Sequence, residues 1–313
     1  MLPAFVEFID AKAIYVRAPT QAIFLCGGKV APKMRGAVKS LRDAFLRIPD
    51  NPALVNRRVL LAEDVNVFYL ARPAYSDLLS FETDFAQICE LVLLFSESQG
   101  SIAELGAFSM VPEIASRLMV VVRSAFAEDT SFIRLGPLLH LIHSYGPAAV
   151  FVLDDDDVGL VKGRPSTVQL PVLRDRLHPA INLRMGTIQE RTTFDAVRSG
   201  HLIKLAVGLI QEFGGLTVSE LRELLSQLGQ VHGDEEIDRW LLCAEAAGWV
   251  AREQRGFNVY FFAKPVPDAL VLKLTEKAPI KNRIRRRAVI REHWKEVDEP
   301  RYLGIVKYAE SST

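Results

Sequence analysis

Five short apolar runs mark the first half of the chain: Ala22–Cys26, Val59–Leu61, Leu91–Phe95, Leu118–Val122 and Ala149–Leu153. Each is too short for a buried helix and gives way to turn or helix-forming residues, so each reads as a buried strand. Helical spacing fills the gaps. Ala37, Leu41, Ala44 and Phe45 share one face after the first run, a helix from about Phe81 to Cys89 precedes the third, another opens at Ser101, and Gly136–Ser144 precedes the fifth. Val65–Leu70 reads as a further short strand or edge, and Ala71–Ser80 as a polar connection. Strand alternating with helix over residues 20–155 predicts an α/β fold, a doubly wound parallel sheet with right-handed crossovers.

The pattern then changes. Gly159–Pro179 carries Pro165, Pro171 and Pro179 with little periodicity and reads as connecting chain. His201–Phe213 is an amphipathic helix stopped by Gly214-Gly215, and Thr217 caps Val218–Leu228 with Glu220 completing a capping box. A third helix runs from Asp234 or Glu235 to Ala247, and Trp249–Glu253 with Asn258–Phe262 flank Gln254-Arg255-Gly256-Phe257 as a two-stranded wing. The resulting expectation is a catalytic domain over 1–158, a linker over 159–195, a mainly helical winged helix-turn-helix domain over 196–265 and a basic C-terminal tail over 266–313.

Charge sharpens the reading of the second half. The chain is balanced at 38 basic and 38 acidic residues in 313, so no overall field selects a partner. The third helix opens Asp234-Glu235-Glu236, which repels phosphate, so protein interaction and nucleic-acid binding weigh equally there. The tail supplies Arg283, Arg285, Arg286 and Arg287 with Trp294 beyond. Such a run contacts phosphates and stacks on a base, or forms only a solvated helix face. No apolar run approaches the ~18 residues of a membrane span and the first residues lack a basic signal-peptide start, so a cytoplasmic protein with no membrane partner is expected. Cys26, Cys89 and Cys243 lie far apart among apolar neighbours and read as buried thiols. His140 and His143 have no third ligand in pattern, so no metal site is expected.

Candidate chemistry converges on Leu91–Phe108, LVLLFSESQGSIAELGAF. Strand, tight loop, helix places the loop at the carboxyl edge of a parallel sheet, where ligands bind. Ser101-x-x-Glu104 fits a capping box, a purely structural role for Glu104. The competing reading is a site in which Glu97, Ser98, Gly100 and Ser101 offer a second carboxylate, hydroxyls and close backbone approach. Gly27-Gly28 with Lys29, Lys33 and Arg35 behind it has the layout of a phosphate cradle, or of a simple turn. Glu82 either complements its helix dipole or joins a site. The consecutive Asp154–Asp157 lack the spacing of a calcium loop and read as a solvated strand exit.

Three blocks taken together, Ala22–Gly28, Leu93–Phe108 and Ser131–Pro137, resemble the effector proteins of bacterial retron anti-phage systems. The resemblance implies a nucleoside 2-deoxyribosyltransferase-like N-glycosidase domain followed by a winged-helix region. It places Glu104, followed by Leu105 and Gly106, as the glutamate that attacks or stabilises the anomeric carbon. It also implies a toxin that consumes NAD or a related nucleotide, needs no further cofactor, and is restrained by a reverse transcriptase and its multicopy single-stranded DNA. A homo-oligomer is expected, with a neighbouring subunit completing the site. The asparagine-aspartate element by which deoxyribosyltransferases grip the sugar is not evident, which argues against base exchange. Within the implied site, Glu97, Glu82 or Asp64 would grip ribose hydroxyls or orient water, and Gly27, Gly28, Ser98 and Ser101 would serve phosphate. Nicotinamide leaves a cationic ring without a proton, whereas a purine needs a general acid, so NAD leads and a purine nucleotide follows. The rival reading is a non-catalytic nucleotide-sensing or nucleic-acid-binding adaptor in which Glu104 only caps a helix.

Overall fold

A computed structural model describes residues 5–17, 20–127, 130–186 and 191–310. In chain order they form β1 (Ile9–Arg17), β2 (Thr20–Cys26), α1 (Leu41–Leu46), β3 (Arg58–Leu61), α2 (Ala62–Ala71), α3 (Leu78–Ala86), β4 (Cys89–Ser96), α4 (Gln99–Met110), α5 (Pro112–Ala115), β5 (Leu118–Arg123), α6 (Leu139–Tyr145) and β6 (Val150–Leu153). There follow α7 (Leu170–Met185), β7 (Arg191–Thr193), α8 (Ser199–Phe213), β8 (Gly215–Leu216), α9 (Val218–Gln227), α10 (Asp234–Ala246), β9 (Val250–Arg255), β10 (Asn258–Ala263), β11 (Leu270–Leu274), α11 (Arg283–Val297) and α12 (Glu299–Glu310). Among them no helix is long and apolar enough to cross a membrane. The chain divides into two compact units: Gln21–Asp64 with Cys89–Ile188, and Met1–Thr20 with Val65–Ile88 and Gln189–Thr313.

The first unit is built on a five-stranded parallel sheet in the order β3-β2-β4-β5-β6. All five strands coincide with the apolar runs of the sequence. The chain winds one way from β2 to β3, then crosses back to β4 and onward, so the strand order reverses between β2 and β4. In such sheets that reversal opens a crevice at the carboxyl ends of the two strands. Beneath it Ile23, Leu25, Leu93, Phe95, Met119 and Val121 form a core with Leu41 and Phe45 of α1 and with Leu173, Leu177 and Ile181 of α7. The last helix corrects the expected linker over 159–195. Leu173, Leu177 and Ile181 repeat every four residues on one buried face. Pro171 falls in the first turn, where its missing N–H costs nothing, and the helix continues through Pro179 in its interior.

A second correction concerns Val65–Leu70, which is helical within α2 rather than extended. Glu63 and Asp64 in its first turn complement the helix dipole, and Ala62 and Val65 are buried one turn apart while Val67 and Leu70 remain exposed, so the apolar run divides between a thin buried face and solvent. The following helix, α3, opens at Leu78, where the Asp77 side chain accepts from the Ser80 amide, three residues earlier than the sequence suggested.

In the second unit α8 is the axis, buried from Gly200 through Phe213. Around it stand α9, whose Thr217–Glu220 capping box forms as expected, then α10, and the antiparallel β9–β10 hairpin with β8 paired to β10. A further sheet, β11-β1-β7, uses the first described strand of the chain, which lies outside the five apolar runs. In place of the expected tail, the described residues 266–310 form β11, α11 and α12, integral parts of this unit. Residues 65–88 also belong here. Tyr75 donates to Asp84 at 2.9 Å and lies 3.2 Å from the Cys243 Sγ, and Arg72 pairs with Asp238 and Glu245 of α10. All three cysteines are buried thiols, as expected.

Candidate active site

The site is built where β2 and β4 end. Phe95 and Ser96 finish β4, and the next residue, Glu97, turns back toward the β2 loop rather than outward. Its Oε1 accepts from the amides of Gly28 at 3.2 Å and Arg42 at 3.0 Å, and its Oε2 from the amide of Leu41 at 2.6 Å. The Leu41 and Arg42 amides are open N–H groups of the first turn of α1, so Glu97 caps that helix from a distant strand while also holding the loop after β2 through Gly28. Burial pushes its carboxyl up from the ordinary glutamate range, and the three amides and the nearby Arg42 oppose that rise. So engaged, Glu97 clamps the loop after β2 and the start of α1 to the end of β4.

The same clamp explains the glycine pair. A Cβ on Gly28 would lie 2.7 Å from Ser40 Cβ and 2.9 Å from Glu97 Oε1. A Cβ on Gly27, whose φ is +141°, would lie 2.9 Å from the Phe95 carbonyl oxygen. Gly28 donates its amide to Glu97, and the close packing of the β2 loop on β4 by itself calls for glycine at both positions.

Ser98 is the N-cap of α4. Its Oγ accepts from the Ser101 amide at 3.2 Å, and Ser101 Oγ accepts from the amides of Ser98 and Glu97 at 2.8 and 2.9 Å. The capping box is therefore Ser98–Ser101, not Ser101–Glu104. This correction matters for chemistry. The two serines are absorbed by the cap, whereas Glu104 sits a turn further in and takes no part in it. Gly100 has open space where a Cβ would stand.

Glu104 is partly buried, and its Oε2 is shut off from solvent with no hydrogen-bond partner among the described residues. Burial pushes its carboxyl above the ordinary glutamate range; Arg42 opposes the rise and Glu63 adds to it. An orphaned buried carboxylate oxygen is costly, and a catalytic role is one of the reasons such an atom is retained.

The two neighbours were not legible as site residues. Arg42 is buried on α1, donating Nε–H to the Gly28 carbonyl at 2.7 Å and an Nη1 hydrogen to the Leu25 carbonyl at 3.2 Å. It grips Glu63 in a two-pronged pair, 2.9 Å on each arm. Glu63 follows β3 as Glu97 follows β4, at the carboxyl edge of the sheet, and its side chain is half exposed. Its position after a strand was the available signal; Arg42 stood in no motif. The result is a carboxylate beside a fixed guanidinium–carboxylate pair, an arrangement suited to stabilising a cation or offering a nucleophile while a second carboxylate faces solvent.

The other candidate carboxylates are Asp64 and Glu82. Asp64 is exposed beside Glu63 in the first turn of α2. Glu82 is buried on α3, in the unit that does not contain Glu104. The basic run is largely neutralised. Arg286 is buried and pairs with Glu212 at 2.6 Å, Arg287 bridges Glu212 at 2.8 Å and Asp268 at 2.9 Å, and Arg283 pairs with Asp268. Trp294 is buried, donating to the Phe213 carbonyl under the Arg301 guanidinium, so it offers no face to a base. Of the four arginines proposed for nucleic acid, Arg285 is exposed with no ion pair among the described residues.

Comparison with known proteins yields a family and two relatives. A family model described as "STM3845 retron effector protein" matches residues 38–252. The chain is 32% identical over 118 residues to the "Retron Ec86 putative ribosyltransferase/DNA-binding protein" of Escherichia coli, covering 37% of this chain and 36% of the relative. It is 30% identical over 118 residues to the "Retron Ec73 putative ribosyltransferase/DNA-binding protein" of the same organism, with the same coverage. The aligned stretch thus spans little more than a third of each relative.

Proposed function

The chain belongs to the STM3845 retron effector family, and on that premise we propose that it is an N-glycosidase that cleaves the nicotinamide–ribose bond of NAD or a related nucleotide, with Glu104 as its reacting carboxylate. The observation that carries the reading is the Glu104 oxygen left unpartnered beside the Arg42–Glu63 pair at the strand-order reversal of a parallel sheet. The names of the relatives, which describe a ribosyltransferase, support the same class of chemistry.

In this reading Glu104 approaches the anomeric carbon as the bond to nicotinamide breaks. The bonding pair leaves with the pyridine nitrogen, which becomes neutral and requires no proton. The carboxylate stabilises the cationic ribose or forms an ester with it, and water then opens that ester, releasing a proton and leaving the ribose hydroxylated. Arg42 favours the ionised form of Glu104, offsetting the burial that opposes it. Glu63, fixed by Arg42 and open to solvent on its other side, would accept from ribose hydroxyls, the role first expected of Glu97, Glu82 or Asp64.

The order α8–β8–α9–α10–β9–β10 supports a winged-helix reading of the second unit. We assign it the contacts with a reverse transcriptase and multicopy single-stranded DNA that would restrain the toxin, in a cytoplasmic assembly containing more than one copy of this chain. The relatives' description as DNA-binding also favours a second reading, in which the chain is an adaptor without turnover.

Purified protein and Glu104→Gln should be incubated with NAD, with and without the reverse transcriptase and its DNA, while free nicotinamide is measured. Release by the wild type, reduced at least ~100-fold in the variant, is the expected result. Equal release by both proteins removes Glu104 from the chemistry, and absence of release under every condition favours another nucleotide or the adaptor.

A further inference from the structure

A cavity of about 330 Å³ opens in the second unit where β1, β11 and the start of α11 meet, within the size range of small-ligand sites (roughly 300–1,000 Å³). Its walls carry five cations: Arg17, Lys281, Arg283, Arg286 and Arg287. Two carboxylates, Glu212 and Asp268, face them, which leaves three positive charges in excess.

The two acids are already committed. Glu212 is clasped by Arg286 and Arg287, and Asp268 by Arg283 and Arg287. Arg17 and Lys281 have exposed side chains with no hydrogen-bond or ion-pair partner among the described residues. The crowding is visible at Arg283: burial and then Arg287 lower its guanidinium from the ordinary range, Arg17 and Arg286 add to this, and Glu212 opposes them. Like charges held together without sufficient counter-charge are stabilised by a bound anion, and phosphate groups match guanidinium geometry. The first turn of α11, a 15-residue helix, adds its partial positive charge on the same wall.

We propose that this cavity binds a phosphate monoester or diphosphate group, with Arg17 and Lys281 as its free ligand-holding cations and Glu212 with Asp268 as the frame that fixes the inner arginines. The cavity is lined by residues of the unit that does not contain Glu104, and the proposal does not depend on the glycosidase reading. It also recasts the basic run, whose inner arginines build a pocket for one anionic group, where either phosphate contacts with base stacking or a solvated helix face was expected. The ligand is either a free nucleotide or the phosphorylated end of a nucleic acid.

Full-length protein should be titrated calorimetrically with inorganic pyrophosphate, alongside Arg17→Ala/Lys281→Ala. Those two side chains hold no ion pair, so the variant should melt with the wild type while its affinity falls by about tenfold or more. AMP competing with pyrophosphate would mark a nucleotide as the source. Preference for a 5′-phosphorylated over a 5′-hydroxyl oligodeoxynucleotide would mark a nucleic-acid end. No pyrophosphate binding by the wild type at millimolar concentration, or equal affinity in the variant, would overturn the proposal. So would equal binding of the two oligonucleotides without competition by pyrophosphate or AMP.

Discussion

Glu104 carries a cost that its neighbours only partly offset. Burial holds its folded-state pKa above the unfolded value, so ionising it consumes folding free energy. The stability associated with the neutral form is complete below the unfolded pKa and is lost as pH rises through the folded one. Glu104→Gln stays neutral throughout, and should therefore be the more stable protein at pH 7–8, by about 1 kcal/mol in urea unfolding. The gap should close as the pH falls toward ordinary glutamate values. A variant less stable than the wild type at neutral pH would show that Glu104 serves the fold. For catalysis the same shift places the acid limb of nicotinamide release above the usual carboxylate range. Residues of this kind were legible in the sequence as candidates, because a glutamate after a strand–loop junction stands at a ligand-binding edge. Their roles were not, because the sequence leaves open which carboxylate turns inward to cap a helix and which is left unpartnered.

At the scale of elements, Glu97 joins three pieces: the end of β4, the Gly27-Gly28 loop after β2, and the first turn of α1. A six-residue helix has little stability of its own and relies on its caps and packing. Glu97→Ala leaves the amides of Gly28, Leu41 and Arg42 unpaired in a partly buried place, and should lower unfolding free energy by about 3 kcal/mol. Because Arg42 rides on α1, nicotinamide release should fall along with it. Denaturant melts of Glu97→Ala and Glu97→Gln separate the two effects: full activity in a destabilised variant would mean that α1 does not position Arg42. Elements with a strong apolar signature, the five strands and the helices α8, α9 and α10, were legible in advance. Those whose apolar face is thin or interrupted by proline, α2 and α7, were misread, because composition outweighed a periodicity of only three or four positions.

Within the second unit as a whole, the pair of arginines that looked like a phosphate-binding surface acts as an internal tie. Arg286 and Arg287 converge on Glu212, a carboxylate buried in α8, and hold α11 against it. Removing the acid leaves a buried guanidinium uncompensated, so Glu212→Ala should cost about 3–5 kcal/mol. Thermal melting measures it, and a loss below ~1 kcal/mol would mean that solvent compensates the arginines. Neutralising Arg286 would lower stability before it said anything about nucleic acid.

The sequence by itself determined the alternation of strand and helix, the parallel sheet that follows from it, the helices and hairpin after residue 200, and the strand–loop–helix junction that carries Glu97 and Glu104. These depend on near-neighbour spacing, and periodicity records spacing faithfully. Only the tertiary structure decided that residues 65–88 cluster with the C-terminal half, that Glu97 and the glycines clamp one another, that Arg42 and Glu63 stand beside Glu104, and that the basic run is mostly spent on Glu212 and Asp268. Each of those depends on which distant groups share a buried volume. There, every charge and every N–H must find a partner or bear the cost of lacking one.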